Sequence, residues 1–281
     1  MDPGAKIQVY VERVAQDKTT VFGGTVHQFV KCTKEAIECD PKVVIRNVRQ
    51  FMNGIKNYLV KNGEKRLHEL IEDERAKLQA TEFLNIDAIL EGVLHKIVLA
   101  PVKAHLYHLL VNEFTKNGSL KMLSENLAKI RDLSAEQMGL LVEVGDQAPS
   151  AQKLELIRSQ LRRMQHHYSP IKKLEFLLKA VNLACGGVRR MSTPIAGQRS
   201  NERRKLPDAD DLVRWLVYLM ARCSVVGCEV EAQYMWDLLP SELLTGEASY
   251  YLTALFSAVH ALKKSEGALL GVFIEISHSH F

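Results

Sequence analysis

Two short segments of this chain carry side chains that could act on another molecule. Asp208-Ala209-Asp210-Asp211 places three carboxylates at the head of an apolar run that predicts a helix. Carboxylates at a helix N-terminus accept hydrogen bonds from its free N–H groups and complement the helix dipole. One aspartate suffices for such a cap, which leaves at least one carboxylate to point outward. The three could also bind magnesium, although the sequence identifies no distant carboxylate to complete the ligand set.

The second segment is a predicted helix from Thr245 to about Lys264. Side chains three and four positions apart share one face of a helix, so the stripe that contains Tyr251 is apolar and faces a core. A neighbouring stripe presents a carboxylate, a phenol and two hydroxyls, on Glu247, Tyr250, Thr253 and Ser257. Any amphipathic helix that faces water shows this alternation, whereas a tyrosine in the polar stripe is also typical of a protein interface.

Other catalytic and metal-binding patterns are absent from the sequence. It contains no GxxxxGK[ST] or GxGxxG phosphate-binding loop, no GxSxG nucleophile and no HExxH zinc motif. The five cysteines form no CxxC pair, which favours buried free thiols over zinc ligands. The sequence therefore gives little support to a hydrolase, a nucleotide-binding enzyme or a metalloenzyme.

The composition is that of an ordinary globular chain. Of its 281 residues, 47% are hydrophobic and 25% are charged, which excludes wholesale disorder. A formal net charge of +4 is too small to predict nucleic-acid binding. No apolar run approaches the ~20 residues needed to span a bilayer, and no charged-then-apolar leader follows Met1. These features predict a cytoplasmic protein with two domains or one large helical unit.

Helix signals run along the whole chain, and strand signals are nearly absent. Asp40-Pro41 combines a cap with a proline at the first helical position, and Asn62-Gly63 ends the helix that follows. Ser169-Pro170 begins another helix in the same way. The sequence therefore predicts an all-α fold. One further predicted helix precedes Asp40, with Val26, Phe29, Val30 and Ile37 as its apolar side. Others are predicted over about 64–80, 86–99, 101–118, 127–141 and 152–164.

A basic loop separates the helix that begins at Ser169-Pro170 from the three aspartates. Residues 189–205 carry six basic side chains and one acidic one, hence a charge of +5. A solvated surface loop is one interpretation of such a charge run. The alternative is attraction to anionic lipid at a membrane surface, where each basic side chain contributes about 1 kcal/mol.

The order of these motifs closely resembles that of the Vps-nine domain, a guanine-nucleotide exchange module for Rab GTPases of the early endosome. Phe51–Lys61 and Leu84–Gly92 are similar to the Ras-and-Rab-interactor subfamily, and the resemblance covers about residues 21–265. The segments that resemble the Vps-nine domain are Ala209-Asp210-Asp211-Leu212, Thr245-Gly246-Glu247, Tyr250-Tyr251-Leu252-Thr253, Tyr168-Ser169-Pro170 and Lys173-Leu174.

The resemblance implies an N-terminal helical bundle, residues 21–118, packed against an all-helical exchange domain, residues 119–265. Residues 266–281 depart from the family and are expected to form an atypical C-terminal tail. The implied activity is release of GDP from Rab GTPases of the Rab-five subfamily in endocytosis, without covalent chemistry. We expect no cofactor, no metal ion and no nucleic acid. The implied location is the cytoplasm, peripheral at early endosomes or endocytic vesicles.

For the site, the resemblance implies that Asp210 is an aspartate finger. It would reach the phosphate loop of the GTPase and take the lysine that otherwise neutralises the phosphates, close to the position of magnesium. Tyr250 and Thr253 would orient this finger and contact the GTPase switch region. An adaptor that binds Rab or Ras GTPases without exchange stays open as an alternative. The other predicted GTPase contacts are Asp211, Leu212, Leu216, Glu247, Tyr251 and Ser257.

One residue near the finger departs from the family pattern. The family commonly has a proline soon after the aspartate pair, and this chain has Arg214 at that position. A proline in the first turn stiffens the start of a helix, so the direction of Asp210 is less constrained here. A basic group at this place could also pair with Asp210 and weaken exchange.

Overall fold

The computed structural model of the chain describes residues 4–36, 40–138, 140, 149–184 and 209–264. Within these ranges the chain forms helices joined by turns, with no strand, which confirms the all-α prediction. Two compact units are present, residues 1–110 and residues 111–281. The basic residues 189–205, Asp208 and the predicted tail 266–281 lie outside the described residues. In the described part, no helix is long and apolar enough to cross a membrane.

The first unit is built from five helices and the greater part of a sixth, α6, which continues into the second unit. Helix α1 precedes residue 21, the start predicted for the bundle, and it packs against α2, α4 and α5 with Ile7, Val11 and Val14 buried. The helices are α1 (Ala5–Gln16), α2 (Val21–Glu35), α3 (Pro41–Asn62), α4 (Leu67–Arg75), α5 (Ile86–Leu94) and α6 (Ala100–Lys116).

Helix α3 shows how local sequence fixes the ends of an element. The Asp40 carboxylate accepts a hydrogen bond from the Lys42 N–H at 2.8 Å, and Pro41 occupies the first helical position. At the other end Gly63 takes a φ of +65°, and its N–H donates to the Leu59 carbonyl. Glycine adopts this left-handed conformation at little cost, so the helix ends where the sequence predicts.

Helical structure continues through Pro101, where the sequence predicts the start of a new helix. Helix α5 leads directly into a π-helical turn, His95–Leu99, and then into α6. A proline inside a regular α-helix removes one hydrogen bond and clashes with the carbonyl four residues earlier. The wider π turn immediately before Pro101 relieves this conflict, and the chain stays helical from Ile86 to Lys116.

The second unit contains the remaining helices. Asn117-Gly118 separates α6 from α7: the Asn117 side chain accepts the Ser119 N–H at 3.0 Å, so a helix begins there rather than at 127 as predicted. Helices α8 and α9 form a hairpin, and α12 packs against both α10 and α11. The helices are α7 (Ser119–Ile130), α8 (Ala151–His166), α9 (Pro170–Ala184), α10 (Ala209–Cys223), α11 (Cys228–Leu238) and α12 (Glu247–Leu262).

A buried ion pair joins three helices of the second unit. The Lys173 ammonium on α9 lies 2.7 Å from the Glu231 carboxylate on α11, and it donates to the Met164 carbonyl on α8 at 2.6 Å. The same ammonium lies 5.2 Å from the ring centroid of Tyr234, whose hydroxyl donates to the Tyr168 carbonyl. Burial raises the pKa of Tyr234, which therefore remains a neutral donor. Tyr168 and Lys173, two of the residues that resemble the Vps-nine domain, therefore bind α11 through Tyr234 and Glu231.

Candidate functional site

A groove of about 580 Å³ is lined by residues of α10 and α12. Helix α12 begins at Glu247, with Gly246 at its N-cap position, and runs beside α10. The positions that α12 contributes recur at three- and four-residue steps, so they belong to one face of the helix. The lining residues are Ala209, Asp210, Val213, Tyr250, Thr253, Ala254, Phe256, Ser257, His260, Ala261 and Lys264.

Asp210, Tyr250 and Thr253, predicted to form the site, lie on the same groove although about forty residues separate the aspartate from the tyrosine. Asp210 and Thr253 are exposed, and Tyr250 is half-buried. The ring of Tyr250 packs edge-on against Tyr251, with 5.3 Å between their centroids. Ser257, one helical turn after Thr253, lies on the groove and is exposed. Their predicted roles concern a partner molecule and stay predictions.

The two neighbouring carboxylates at the start of α10 have different surroundings. Asp211 lies 3.3 Å from the guanidinium of Arg214, a residue that is only 2% exposed. For Asp210, we find no hydrogen bond or ion pair to its carboxylate within the described ranges. The N-terminal end of α10 stabilises both negative charges through the helix dipole. Arg214, the basic group that could have paired with Asp210, therefore binds the adjacent aspartate and leaves the groove carboxylate accessible.

Three of the predicted GTPase contacts lie in the core of the second unit rather than on the groove. Leu212, Leu216 and Tyr251 are each at most 1% exposed, so their side chains offer almost no surface to a partner. For Tyr251 this burial agrees with the core-facing stripe that the helical period predicted, whereas the direct GTPase contact was only implied by the resemblance. All three residues belong to the hydrophobic core of the second unit, so their burial favours a structural role over the predicted direct contact. Glu247 is exposed in the first turn of α12, outside the groove lining.

Seven further groove residues were not predicted as site residues from the sequence; three are alanines, and the other four have larger side chains. His260 and Lys264 continue the stripe of Thr253 and Ser257 by one and two turns, so the period could have indicated them. Val213 lies one turn after Asp210 on α10. Phe256, three residues after Thr253, also follows this spacing, and its ring packs edge-on against Trp236 of α11, with 5.7 Å between their centroids. Only the packing of α11 on α12 reveals this aromatic contact.

Metal-ligating side chains and free thiols occur in both units. No group of three or more His, Cys, Asp or Glu side chains suited to a metal ion occurs among the described residues. Asp208, the third carboxylate of the magnesium alternative, is not one of those residues. Cys228 is buried, and burial raises the pKa of its thiol to about 12. Cys32 is exposed, so the prediction of buried thiols fails for that residue.

Two family models match the chain. The RIN1-like domain matches residues 6–106, and the vacuolar sorting protein 9 (VPS9) domain matches residues 154–266. All groove residues lie within the second match.

Three similar proteins, from fly, mouse and human, align with more than nine tenths of this chain. Protein sprint of Drosophila melanogaster is 40% identical over 261 residues, which is 93% of this chain and 14% of that protein. Ras and Rab interactor 2 of Mus musculus is 31% identical over 94% of this chain and 27% of its own length. Ras and Rab interactor 3 of Homo sapiens is 29% identical over 92% of this chain and 24% of its own length. The chain thus spans between 14% and 27% of these relatives.

Proposed function

Because the chain carries the RIN1-like and VPS9 domains of the Ras and Rab interactor family, we propose that it is a guanine-nucleotide exchange factor for Rab GTPases. The preferred partners are early-endosomal GTPases of the Rab-five subfamily, in their GDP-bound or nucleotide-free form. The process is endocytic trafficking. The catalysis forms and breaks no covalent bond, since the exchange factor only lowers the barrier to GDP release.

The observation that carries this proposal is the accessible carboxylate of Asp210 on a groove that also holds Tyr250 and Thr253. In a GTPase a lysine and a magnesium ion neutralise the phosphates of the bound nucleotide. Asp210 acts by competition: its carboxylate binds that lysine in place of the phosphate and disfavours the ion–nucleotide arrangement. The nucleotide then loses the charges that retain it and dissociates. The neighbouring phenol and hydroxyl orient the finger and bind the switch region.

The walls of the groove suit the hydrophobic part of a GTPase switch region. Val213, Ala254 and Phe256 supply apolar surface between the polar side chains, and the groove is large enough for two or three side chains. Burial of apolar surface increases the affinity for the GTPase in both states, whereas Asp210 makes the affinity for the nucleotide-free GTPase higher than that for the nucleotide-bound GTPase. Leu212, Leu216 and Tyr251 support this arrangement from the core, and Asp211 supports it through Arg214.

The basic residues 189–205 serve, in this proposal, to place the protein at the anionic surface of early endosomes. Their charge of +5 predicts modest binding that weakens as salt increases. The test is sedimentation with phosphatidylserine-containing vesicles for the native chain and for a variant with Arg203, Arg204 and Lys205 changed to Glu. Equal sedimentation of the two proteins would contradict this role for the loop.

The exchange proposal is tested by the release of fluorescent GDP from a purified Rab of the early endosome. The native chain should accelerate release, and Asp210→Asn should lower the acceleration about 100-fold, because the amide keeps the shape of the side chain and loses its charge. Asp132→Asn, at an exposed carboxylate outside the groove, serves as the matched control and should not change the rate. Binding without any acceleration by the native chain would instead support the adaptor.

A further inference from the structure

Trp236 on α11 is a large apolar side chain that the fold leaves partly in water. The residue is 37% exposed, while its neighbours Tyr234 and Met235 on the same helix are fully buried. On either side of it, the Gln233 amide donates to the Asp237 carboxylate at 2.7 Å. The indole therefore lies partly at the surface, on a helix whose neighbouring Gln233 and Asp237 side chains bind each other, and it is not part of the buried core of the second unit.

The position of this indole connects it to the groove. Trp236 packs edge-on against Phe256, with 5.7 Å between the ring centroids and 85° between the ring planes. Phe256 in turn lines the groove together with Val213 of α10. Apolar surface thus continues from α10 across α12 to α11. This apolar surface extends onto α11, whereas the residues predicted to form the finger and to contact the switch region all lie on α10 and α12.

We propose that Trp236 extends the GTPase-binding surface onto α11 and binds an apolar side chain of the GTPase next to its switch region. This inference rests on the proposed function. The occupant is the GTPase because the indole continues a groove already assigned to it. Tryptophan is one of the three residue types, with tyrosine and arginine, that are enriched among the side chains that dominate binding energy at protein interfaces. Trp236 contributes to affinity and partner choice, whereas Asp210 contributes to release of the nucleotide.

The test separates binding from catalysis by measuring GDP release over a range of exchange-factor concentrations. Trp236→Ala should raise the half-saturating concentration about tenfold and leave the maximal rate within about twofold, since the lost contact is the same before and after nucleotide release. Trp236→Phe keeps an aromatic edge against Phe256 and should retain most of the affinity. Leu156→Ala is the matched control, because Leu156 is 53% exposed on α8, a helix that contributes nothing to the groove lining.

Two results would overturn the inference. One is a half-saturating concentration for Trp236→Ala equal to that of Leu156→Ala, in a protein whose native form accelerates release. The other is a fall in maximal rate at unchanged half-saturation. If the native chain does not accelerate release, affinity for the nucleotide-free GTPase, measured by calorimetry, decides separately: a tenfold loss in Trp236→Ala supports the inference, and no loss rejects it. Circular dichroism confirms that each variant is folded.

Discussion

Glu91 in the first unit and Asp210 in the second are both helix carboxylates in segments that resemble the same family, yet their surroundings are opposite. Glu91 is 2% exposed and lies 2.5 Å from Arg49, 3.2 Å from Lys56 and 3.1 Å from His95. Asp210 is exposed on a groove, and its carboxylate meets no cation among the described residues.

The pKa of Glu91 shows what its partners do. Burial by itself raises the pKa of this carboxyl, but the hydrogen bonds from His95 and Arg49 outweigh burial and hold the pKa well below its ordinary value. A charge removed from water needs such partners, because leaving it unpaired costs several kcal/mol. The carboxylate of Glu91 is therefore occupied by contacts within the protein and is not available to bind a partner molecule.

Asp211 is intermediate between Glu91 and Asp210 in its exposure and in the number of its protein partners. Among the described residues it has one cationic neighbour, Arg214, and its side chain is 45% exposed. Asp210 is exposed and has no protein partner among the described residues, so a cation from another molecule can approach it at small cost in desolvation. In the described part of the chain, the number of protein partners rather than the residue type thus distinguishes Glu91 from Asp210.

The largest expected effect is at Glu91. Glu91→Gln leaves the charges of Arg49 and Lys56 without their anion and should lower the free energy of unfolding of the first unit by about 3–5 kcal/mol. Asp87→Asn, on the same helix with a 79% exposed side chain, is the control and should change it by less than about 0.5 kcal/mol. Urea unfolding followed by circular dichroism measures both, and hydrogen exchange assigns the change to residues 41–110. If the two variants are equally stable, the buried Glu91 carboxylate contributes no more to stability than an exposed one, and the proposed difference from Asp210 is wrong.

A smaller effect is expected on lowering the pH. Burial lowers the pKa of His95, which outweighs the raising effect of its contact with Glu91. Below the ordinary pKa of ~6.5 the unfolded chain therefore binds a proton that the folded chain does not, and stability falls as the pH falls. Glu91 stays ionised in this range, since its folded pKa lies below the ordinary ~4.3, so its contribution is lost only in stronger acid.

The measurement is the hydrogen-exchange protection of α3 and α5 at pH 7.5 and pH 5.5, corrected for the intrinsic exchange rate. The native chain should lose protection at the lower pH, and His95→Gln, which cannot titrate there, should show a smaller change. If the protection of the native chain does not change with pH, His95 accepts a proton in the folded state without loss of stability, and the prediction is wrong.

The smallest effects are expected at the two aspartates of α10. Asp211→Ala removes the carboxylate that faces the buried Arg214 and should cost about 1 kcal/mol, reduced from a fully buried pair by its exposure. Asp210→Ala should change stability by less than about 0.5 kcal/mol, whereas the proposed function predicts that it abolishes exchange. Tryptophan fluorescence during urea unfolding is suited to this comparison because both tryptophans, Trp215 and Trp236, lie in the second unit. A larger loss for Asp210→Ala would assign it a structural role.

Local signals predicted much of the secondary structure. The cap-and-proline pairs at Pro41 and Pro170 start α3 and α9 as expected, because caps act within one turn and need no distant partner. The continuation through Pro101 was not predicted, since a π turn depends on the packing around it. Helix α1 was also missed, and its three buried residues find their partners on α2, α4 and α5.

For the site, the sequence by itself determined the helices and the chemistry that they carry. The carboxylates in the first turn of α10 and the stripe of Tyr250, Thr253 and Ser257 follow from residue type and from the 3.6-residue period alone. The resemblance to the Vps-nine domain rests on the same residues, and the family matches agree with it.

Only the tertiary structure decided which of these residues are exposed on the groove and which are buried. Leu212 and Asp210 are two positions apart, yet one is in the core and the other on the groove, because the direction from which α12 packs divides the surface of α10. In the same way the cations around Glu91 come mostly from α3, and the indole beside Phe256 comes from α11. Periodicity places side chains around one helix, whereas burial and charge pairing are properties of contacts between helices.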